Sequence, residues 1–252
     1  MRDFVVNNYL IRLMHHDDLD EVKRVQSLRY QFLLREYNPS LPEEGLDIDG
    51  YDDVSNSILV IDQNNNEIAG TYRVATMETI KGGRFLTEDE YNIDDLKKDS
   101  DGFVELGRAV VHPSYRNPLV IQLLFLGIYH YAIEHNCRYF IGLCSFHGHT
   151  PSDYAHGFSL LKRDYLCTKF NFKACANGFA LDFLKDDEID VAKAKKEIPN
   201  LLRMYLNLGH RVSGEGSIDY KFNSCDVLII MDSKEINMRY FERLMKIGAI
   251  NK

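Results

Sequence analysis

Residues 105–116 read ELGRAVVHPSYR, and an apolar stretch, PLVIQLLFLGIYHYAI, follows at residues 118–133. The first segment alternates like a β-strand before it meets a proline-containing loop, and the second is typical of a buried helix. A central strand that carries both Glu and Arg is unusual, because a buried charge needs a partner or a chemical task. The pattern predicts a strand at 102–112, a helix at 119–135, and Glu105 and Arg108 as candidate functional residues.

The junction between this strand and this helix suits an anionic ligand. A helix N-terminus offers free N–H groups and the positive end of the helix dipole, so it can hold a phosphate. Simple alternation places Glu105 and Arg108 on opposite faces of the strand. A bulge near Gly107 would change the directions in which they point.

The remaining patterns predict a mixed α/β architecture. Alternating or apolar runs indicate further strands at 9–15, 57–62, 68–77, 139–144 and 227–231. Helical spacing indicates a helix that begins after Asp17 or Asp18 and ends near residue 37, and others near 153–166, 196–208 and 235–247. Residues 38–53 and 145–156 have the composition of loops. This order favours a single domain over residues 1–252, with helices on both faces of a central sheet.

Composition limits the classes of function. The chain has 252 residues with a net charge of -8, which argues against a nucleic-acid binder that needs a basic surface. Its five cysteines form no CxxC pair, which predicts free thiols in a reducing compartment. The N-terminal residues lack the apolar core of a signal peptide, and the longest apolar run is shorter than the roughly 20 residues that span a bilayer. We therefore expect a cytoplasmic protein.

Five segments together resemble one enzyme family. They are LRYQFLLREY (28–37), DIDGYDD (47–53), AGTYRV (69–74), ELGRAVVHPSYR (105–116) and LLRMYLNLGHRVSGEGSIDYKFNSCDVLIIMD (201–232). The resemblance is to the acyl-carrier-protein-dependent branch of the GNAT acyltransferase superfamily. That branch contains the ornithine- and glycine-lipid N-acyltransferases, the N-acyl amino acid synthases and the N-acyl-homoserine lactone synthases. The last segment is more similar to the lipid and amino-acid acyltransferases than to the lactone synthases.

The resemblance implies a GNAT fold and an acyl thioester as co-substrate, with no further cofactor and no metal. Lactone synthases carry a Trp shortly after Phe32, whereas this chain has no Trp and has Tyr37 nearby. The segment HPSYRNPLVIQ also lacks the glycines with which coenzyme A-dependent GNAT enzymes approach a pyrophosphate. This departure favours the single phosphate of a phosphopantetheine arm on an acyl carrier protein over coenzyme A.

Acyl transfer to an amine requires an unprotonated amine, a stabilised oxyanion and aligned substrates. Glu105 is the candidate for amine binding and base catalysis. By resemblance, a backbone N–H near Val110 or Val111 would stabilise the oxyanion, and Arg116 with the helix start at Leu119 would hold the pantetheine phosphate. The family's other recurrent residues are candidates for substrate binding, and they fall on Arg29, Phe32, Asp49, Asp52, Arg73 and Arg108.

Structural interpretations stand beside these roles. Glu105 and Arg108 could form a buried ion pair, the other arginines and aspartates could order the N-terminal loop, and the apolar helix could serve core packing alone. Cys144 and His147 could form a nucleophilic pair, residues 145–156 could cover an acyl tunnel, and four residues could hold a metal: His147, His149, Asp153 and His156. Basic residues in the later half could be a solvated surface, or could dock an acidic carrier protein or an anionic membrane.

These observations predict an N-acyltransferase. It would move a long-chain, 3-hydroxylated fatty acyl group from acyl carrier protein to the α-amine of glycine or ornithine, and form a lyso-aminolipid or an N-acyl amino acid. Peripheral contact with the inner membrane face is a further expectation. The alternatives are a homoserine lactone synthase that uses S-adenosylmethionine, and a non-catalytic module that binds acyl chains or the carrier protein.

Overall fold

The computed structural model describes residues 1–247. Its strands are β1 (Phe4–Val6), β2 (Tyr9–Leu13), β3 (Asn56–Asp62), β4 (Glu67–Thr76), β5 (Tyr91–Asn92), β6 (Phe103–Val111), β7 (Tyr139–His147), β8 (Lys173–Ala174), β9 (Gly178–Ala180), β10 (Arg211–Asp219) and β11 (Ser224–Asp232). Its α-helices are α1 (Leu19–Arg29), α2 (Arg35–Tyr37), α3 (Met77–Ile80), α4 (Asp94–Lys97), α5 (Pro118–Glu134), α6 (Ala155–Tyr165), α7 (Val191–Glu197), α8 (Asn200–Leu208) and α9 (Met238–Ile247).

The contacts within the chain define two compact units. The first comprises residues 1–83, 104–137 and 239 onward, and the second comprises residues 84–103 and 138–238. Each unit contains both a sheet and helices, so the predicted α/β class is confirmed. The single domain over residues 1–252 stays a prediction.

The first unit contains an antiparallel sheet with the strand order β1-β2-β3-β4-β6. One face packs against α1, where Val25 joins Leu59 of β3 and Val110 of β6 in a buried apolar cluster. The other face packs against α5, where the ring of Phe125 contacts the ring of Tyr72 of β4. Helices therefore cover both faces of this sheet, as the sequence predicts.

The helix predicted from Asp17 or Asp18 to residue 37 is confirmed. The Asp18 carboxylate accepts hydrogen bonds from two backbone N–H groups of the first turn and so caps the helix. Helical backbone then continues from Leu19 through a π-helical turn at Tyr30–Leu34 and ends at Tyr37. Turns of this kind inside α-helices are frequent at functional sites.

Helix α5 confirms the predicted apolar helix. Asn117 caps it by accepting the N–H of Leu119 at 2.9 Å, and Pro118 occupies the first helical position. Gly127 permits close packing, because a Cβ at this position would lie 2.7 Å from Cγ2 of Ile58. Most side chains of α5 are buried against the sheet, so packing is the role the structure shows. Among residues 1–247, no helix has both the length and the apolar character needed to cross a bilayer.

Strand β6 contains a bulge next to Gly107, a possibility that the sequence left open. Arg73 of β4 pairs with Gly107, and Thr71 of β4 pairs with Val110. Two residues of β6, beginning with Arg108, therefore stand opposite one residue of β4. Arg108 has a φ of +53°, a left-handed conformation that is rare for residues other than glycine. The bulge thus lies at the arginine that the sequence marks as a candidate.

The second unit contains an antiparallel sheet with the order β7-β11-β10-β9 and a small β5-β8 pair. Two expectations for this region are wrong. The strand predicted at 139–144 continues to His147, because Ser145 pairs with Asp226 in the middle of β11. Strand β10 is not predicted at all, since most of its residues RVSGEGSID are small or charged, and it becomes a strand by pairing with both neighbours.

His210, which lies between α8 and β10, provides an acid-sensitive point in the second unit. Its ring is buried, with Nδ1 3.0 Å from the carbonyl oxygen of Tyr205 and with Nε2 lacking a partner among the described residues. Burial disfavours the charged imidazolium and lowers the pKa of His210 to about 3. The neutral ring therefore stabilises the fold above its unfolded pKa of about 6.5, and this contribution is lost as the pH falls below that value.

Because of His210, we expect the unfolding free energy of the protein to fall by about 2 kcal/mol when the pH is lowered from 7.5 to 5. His210→Asn keeps a donor for the Tyr205 carbonyl and removes the titrating group. Its unfolding free energy, measured by urea denaturation, should fall by that much less over the same interval. Equal losses in the two proteins would contradict the assignment.

Candidate active site

Most of the residues that the sequence assigns to substrate binding meet in one network in the first unit. Three arginines are ion-paired with three aspartates, and the charges balance. The arginines come from α1, β4 and β6, and all three aspartates come from the loop that precedes β3. The members of this network, called the Arg/Asp network below, are Arg29, Arg73, Arg108, Asp47, Asp49 and Asp52.

Arg29 holds both ends of the loop segment. Its guanidinium is 2% exposed, with Nη1 and Nη2 donating to the two carboxylate oxygens of Asp52 at 2.8 and 2.9 Å. Its Nε lies 2.9 Å from Oδ2 of Asp47, and its Nη2 also donates to the Asp47 carbonyl. A guanidinium fork in this geometry fixes direction as well as distance.

Arg73 and Arg108 share Asp49 between them. Nη1 of Arg73 lies 2.7 Å from Oδ1 of Asp49 and 3.2 Å from Oδ1 of Asp52. Arg108 donates from Nε to Asp47 and from Nη2 to Asp49, both at 3.0 Å. The six side chains are therefore linked through shared partners, and loss of one member removes a charge partner from two others.

The network keeps Asp49 and Asp52 ionised. Burial acts to raise the pKa of Asp49 and of Asp52, but the adjacent guanidinium groups outweigh burial and hold the pKa of both carboxyls below its usual range. The ionised carboxylates in turn balance the positive charges of the arginines, whose side chains are mostly buried. Of the interpretations left open above, ordering of the N-terminal loop is the one that these contacts show.

Asp47 belongs to this network but was not among the predicted site residues. Its side chain is only 4% exposed, accepts a hydrogen bond from Nε of Arg108, and forms an ion pair with Arg29. The sequence did indicate Asp47, because it is one of the aspartates of the segment DIDGYDD. The path of the loop determines that Asp47, and not Asp53, pairs with the arginines of the network.

The bulge in β6 places Arg108 on the same face of the sheet as Glu105. Arg73 stands opposite Gly107, and alternation puts Glu105 on the face of Gly107. Arg108 would otherwise point to the opposite face, but the bulge turns it so that it and Arg73 both reach Asp49. Glu105 and Arg108 therefore share one face, which simple alternation does not predict.

Glu105 is 7% exposed and stands opposite Ala75 of β4. A carboxylate on a buried strand is suited to bind an amine and to accept its proton, because it is shielded from bulk water. The Arg/Asp network beside it is internally neutralised. This arrangement is consistent with Glu105 acting as a general base.

Two of the remaining candidates contribute mainly apolar contacts. Phe32 packs against the buried cluster beside α1, and its ring centroid lies 4.9 Å from that of His112. Val110 is itself a member of that cluster, whereas Val111 is half-buried. Contact between Phe32 and substrate, and an oxyanion role for the backbone of Val110 or Val111, stay predictions.

The proposed phosphate site lies at the start of α5. Arg116 is 52% exposed, and its Nη2 lies 3.1 Å from Oε2 of Glu36. The N–H of Leu119 is already bonded to the Asn117 side chain, so a phosphate would compete with this cap. The ion pair between Arg116 and Glu36 lies on the surface and is therefore weak, so a phosphate can replace Glu36 as the partner of Arg116.

Comparison with known proteins supports one family. A GNAT acetyltransferase domain model matches residues 28–126. The L-ornithine N(alpha)-acyltransferase of Agrobacterium fabrum is 31% identical over 235 residues, which is 87% of this chain and 80% of that protein. The enzyme of the same name from Rhodobacter capsulatus is 28% identical over 247 residues, or 93% of this chain and 94% of that protein. The chain belongs to the L-ornithine N(alpha)-acyltransferase family.

Solved structures support the same fold. The coenzyme A-dependent acyl-homoserine lactone synthase BjaI has a TM-score of 0.54 at 12% identity, covering 97% of this chain and 91% of its own. TofI, solved with an inhibitor, has a TM-score of 0.53 at 15% identity, covering 94% and 97%. These similarities show a GNAT-type fold. The family assignment makes the chain an N-acyltransferase and rules against the non-catalytic module.

The acyltransferase does not assemble the predicted Cys144–His147 pair. Both residues lie in β7, three positions apart, so their side chains point to opposite faces of the sheet. Cys144 is buried, and burial raises the pKa of its thiol well above the usual range, so it is a poor nucleophile.

We expect Cys144→Ala to keep kcat within about threefold of wild type. Loss of activity in a folded Cys144→Ala protein would restore the covalent route.

The histidines of residues 147–156 have separate partners. Nδ1 of His149 lies 3.0 Å from the side-chain oxygen of Asn223, and Nδ1 of His156 accepts the N–H of Asp190. Within residues 1–247 these histidines do not converge with Asp153 as metal ligands.

Basic residues of the later half are largely paired in the second unit. Lys162 lies 3.3 Å from Asp182, and Lys173 lies 3.0 Å from Glu215. Lys195 and Lys196 are exposed on α7. Docking of a carrier protein on this surface stays a prediction.

Proposed function

We propose that this acyltransferase transfers a long-chain fatty acyl group from acyl carrier protein to the α-amine of ornithine. The observation that carries the proposal is Glu105, a shielded carboxylate on the face of the sheet where the Arg/Asp network orders the loop. The relatives named as ornithine acyltransferases favour ornithine over glycine as the acceptor. The resemblance of the sequence favours a 3-hydroxylated acyl group and a phosphopantetheine arm.

The proposed reaction is direct attack without an acyl-enzyme. Glu105 accepts a proton from the ammonium group of the acceptor, directly or through water, and the free amine attacks the thioester carbonyl. A backbone N–H near Val110 or Val111 stabilises the oxyanion of the tetrahedral intermediate. As the intermediate collapses, the C–S bond breaks, and the attacking nitrogen gives its second proton to the leaving thiolate, so the donor leaves as the free thiol of the pantetheine arm. Glu105 then releases the first proton to solvent. The product is a lyso-ornithine lipid.

The donor would be held at two places. Arg116 and the start of α5 would bind the pantetheine phosphate, and the exposed lysines of α7 would contact the acidic surface of the carrier protein. In this view the protein works near the membrane into which its product enters. No group other than the thioester co-substrate is required.

Mass spectrometry tests the reaction. Lipid extracts from a host that expresses the chain should contain a new amide with an ornithine head group, and extracts from a host expressing Glu105→Gln should not. A glycine head group would change the acceptor, and a homoserine lactone would support the alternative enzyme. Absence of any amide with purified acyl carrier protein and amino acids would contradict the proposal.

Arg116→Ala tests the phosphate contact. We expect the KM for acyl carrier protein to rise about tenfold with kcat nearly unchanged, because a charge-assisted contact to phosphate is worth about 1.5 kcal/mol. An acyl-N-acetylcysteamine thioester lacks the phosphate, so wild type and Arg116→Ala should use it equally well. A similar defect with both donors would show that Arg116 does not act through the phosphate.

A further inference from the structure

The second unit contains a second group of carboxylates, and these have no Lys or Arg partner among the residues that the structure describes. Glu90, Asp219 and Asp226 each place one oxygen so that the three oxygens lie within 4.8 Å of one another. None of the three has an ion pair with Lys or Arg in the part of the chain that the structure describes. The Arg/Asp network of the first unit balances its charges, whereas this carboxylate cluster does not.

Two oxygens of this cluster lack hydrogen-bond partners. Asp226 is 3% exposed, and its Oδ1 has no partner within residues 1–247, although its Oδ2 accepts from the hydroxyl of Ser224 at 3.2 Å. Oε2 of Glu90 is likewise buried without a donor among residues 1–247, and the two carboxyls can hydrogen-bond to each other only when one of them carries a proton. A buried carboxylate oxygen left unpaired is costly, so each such atom points to a ligand or a proton that completes it.

The surrounding backbone holds the cluster in place before any ligand binds. Tyr91, next to Glu90, is fully buried, and its hydroxyl lies 2.9 Å from the Asp226 carbonyl oxygen. The Glu90 carbonyl accepts the N–H of Cys175 at 2.7 Å. Asp219 accepts the N–H groups of two residues in the turn between β10 and β11. Three separate segments therefore present their oxygens to one point.

We propose that Glu90, Asp219 and Asp226 form a binding site for a divalent metal cation, with Ca²⁺ as the ion that fits best. All the available ligands are oxygens, which hard cations prefer. Ca²⁺ binds oxygen at about 2.3–2.6 Å, so two of its ligands can be up to about 5 Å apart, as these oxygens are. The ion would tie the segment before β5 to the β10–β11 hairpin, and its role would be structural.

The state of the cluster without a cation follows from the same burial. Desolvation and the neighbouring Asp226 raise the pKa of Glu90 to about 9, and desolvation raises the pKa of Asp226 to about 6. A proton therefore neutralises part of the cluster in the absence of metal. A bound cation would displace that proton, so metal and proton are the two rival occupants that the experiment must separate.

The test measures melting temperature and metal stoichiometry on the full chain. Chelator-treated protein at neutral pH is melted with calcium chloride, magnesium chloride, or sodium chloride of equal ionic strength. Calcium at saturation should raise the melting temperature by about 5 °C, and sodium should not. Equilibrium dialysis with radioactive calcium should show one ion per chain. No saturable shift and no bound calcium would overturn the proposal and leave the proton as the occupant.

Three variants locate the site. Asp226→Asn and Asp219→Asn should both abolish the calcium-dependent shift, and Asp219→Asn serves if the buried Asp226 variant does not fold. Asp187→Asn is the matched control, because Asp187 is an exposed carboxylate of the same unit outside the cluster. It should shift as wild type does. Equal calcium shifts in Asp219→Asn and Asp187→Asn would place the binding elsewhere and refute the assignment.

Discussion

Glu105→Gln is expected to lower kcat by about 10²–10⁴-fold, the range usual for removal of a general base. The amide keeps the size and polarity of the side chain but cannot accept the proton of the acceptor ammonium. Glu105 has no part in the ion pairs described above for the Arg/Asp network, so the three arginines and three aspartates of that network keep those pairs with one another. Steady-state kinetics with acyl carrier protein and ornithine measure the effect.

The pH profile distinguishes a base from a structural carboxylate. If Glu105 takes the proton, the remaining activity of Glu105→Gln should increase with pH as the acceptor amine loses its proton without help. The melting temperature should stay close to that of wild type. Wild-type kcat in Glu105→Gln, or a loss of activity explained by unfolding, would contradict the catalytic role.

Arg29→Met is expected to cost about 3–5 kcal/mol of unfolding free energy. The apolar side chain has a similar length, but it leaves the carboxylates of Asp47 and Asp52 without their main partner in a largely buried place. Removal of one partner from a buried ion pair leaves the other charge uncompensated, which is worse than removal of both. Urea denaturation followed by circular dichroism measures the loss.

Arg24→Met is the matched control, because Arg24 lies on the same helix and is exposed. It should change the unfolding free energy by no more than about 0.5 kcal/mol. Equal losses in Arg24→Met and Arg29→Met would mean that helix propensity, and not the network, determines the effect.

Acid provides a second test of the network. The lowered pKa of Asp49 and of Asp52 means that these ionised carboxylates stabilise the fold above their unfolded pKa of about 3.9. This contribution is lost as the pH falls from there through the lower pKa of the folded state. Wild type should therefore lose more unfolding free energy than Arg29→Met in that window. Parallel losses would argue against coupling between Arg29 and the aspartates.

Local patterns predict much of the secondary structure. The cap at Asp18, the helical spacing after it and the alternation of residues 57–77 each depend on neighbours close in sequence, and the structure confirms all three. Strand β10 is the contrasting case. Its composition favours a loop, and only pairing with β9 and β11 makes it a strand.

The candidate site divides in the same way. The sequence identifies Arg29, Arg73, Arg108 and Glu105 as unusual, because charged residues in otherwise apolar elements need partners. It does not show which aspartate each arginine takes. Asp47 is part of the network because the loop brings it between Arg29 and Arg108. Asp47 and Arg108 are 61 positions apart in the sequence.

The sequence by itself determined the α/β class, the cap at Asp18, the extents of the helical segments at 19–37 and 118–134, and the family to which the chain belongs. These depend on local periodicity, on short-range hydrogen bonds and on segments such as ELGRAVVHPSYR. The tertiary structure decided where the charges point. The bulge at Arg108 turns that side chain to the face of Glu105, and it exists because β4 and β6 differ by one residue between two paired positions. Such a mismatch is a property of two strands together, so neither strand's sequence reveals it.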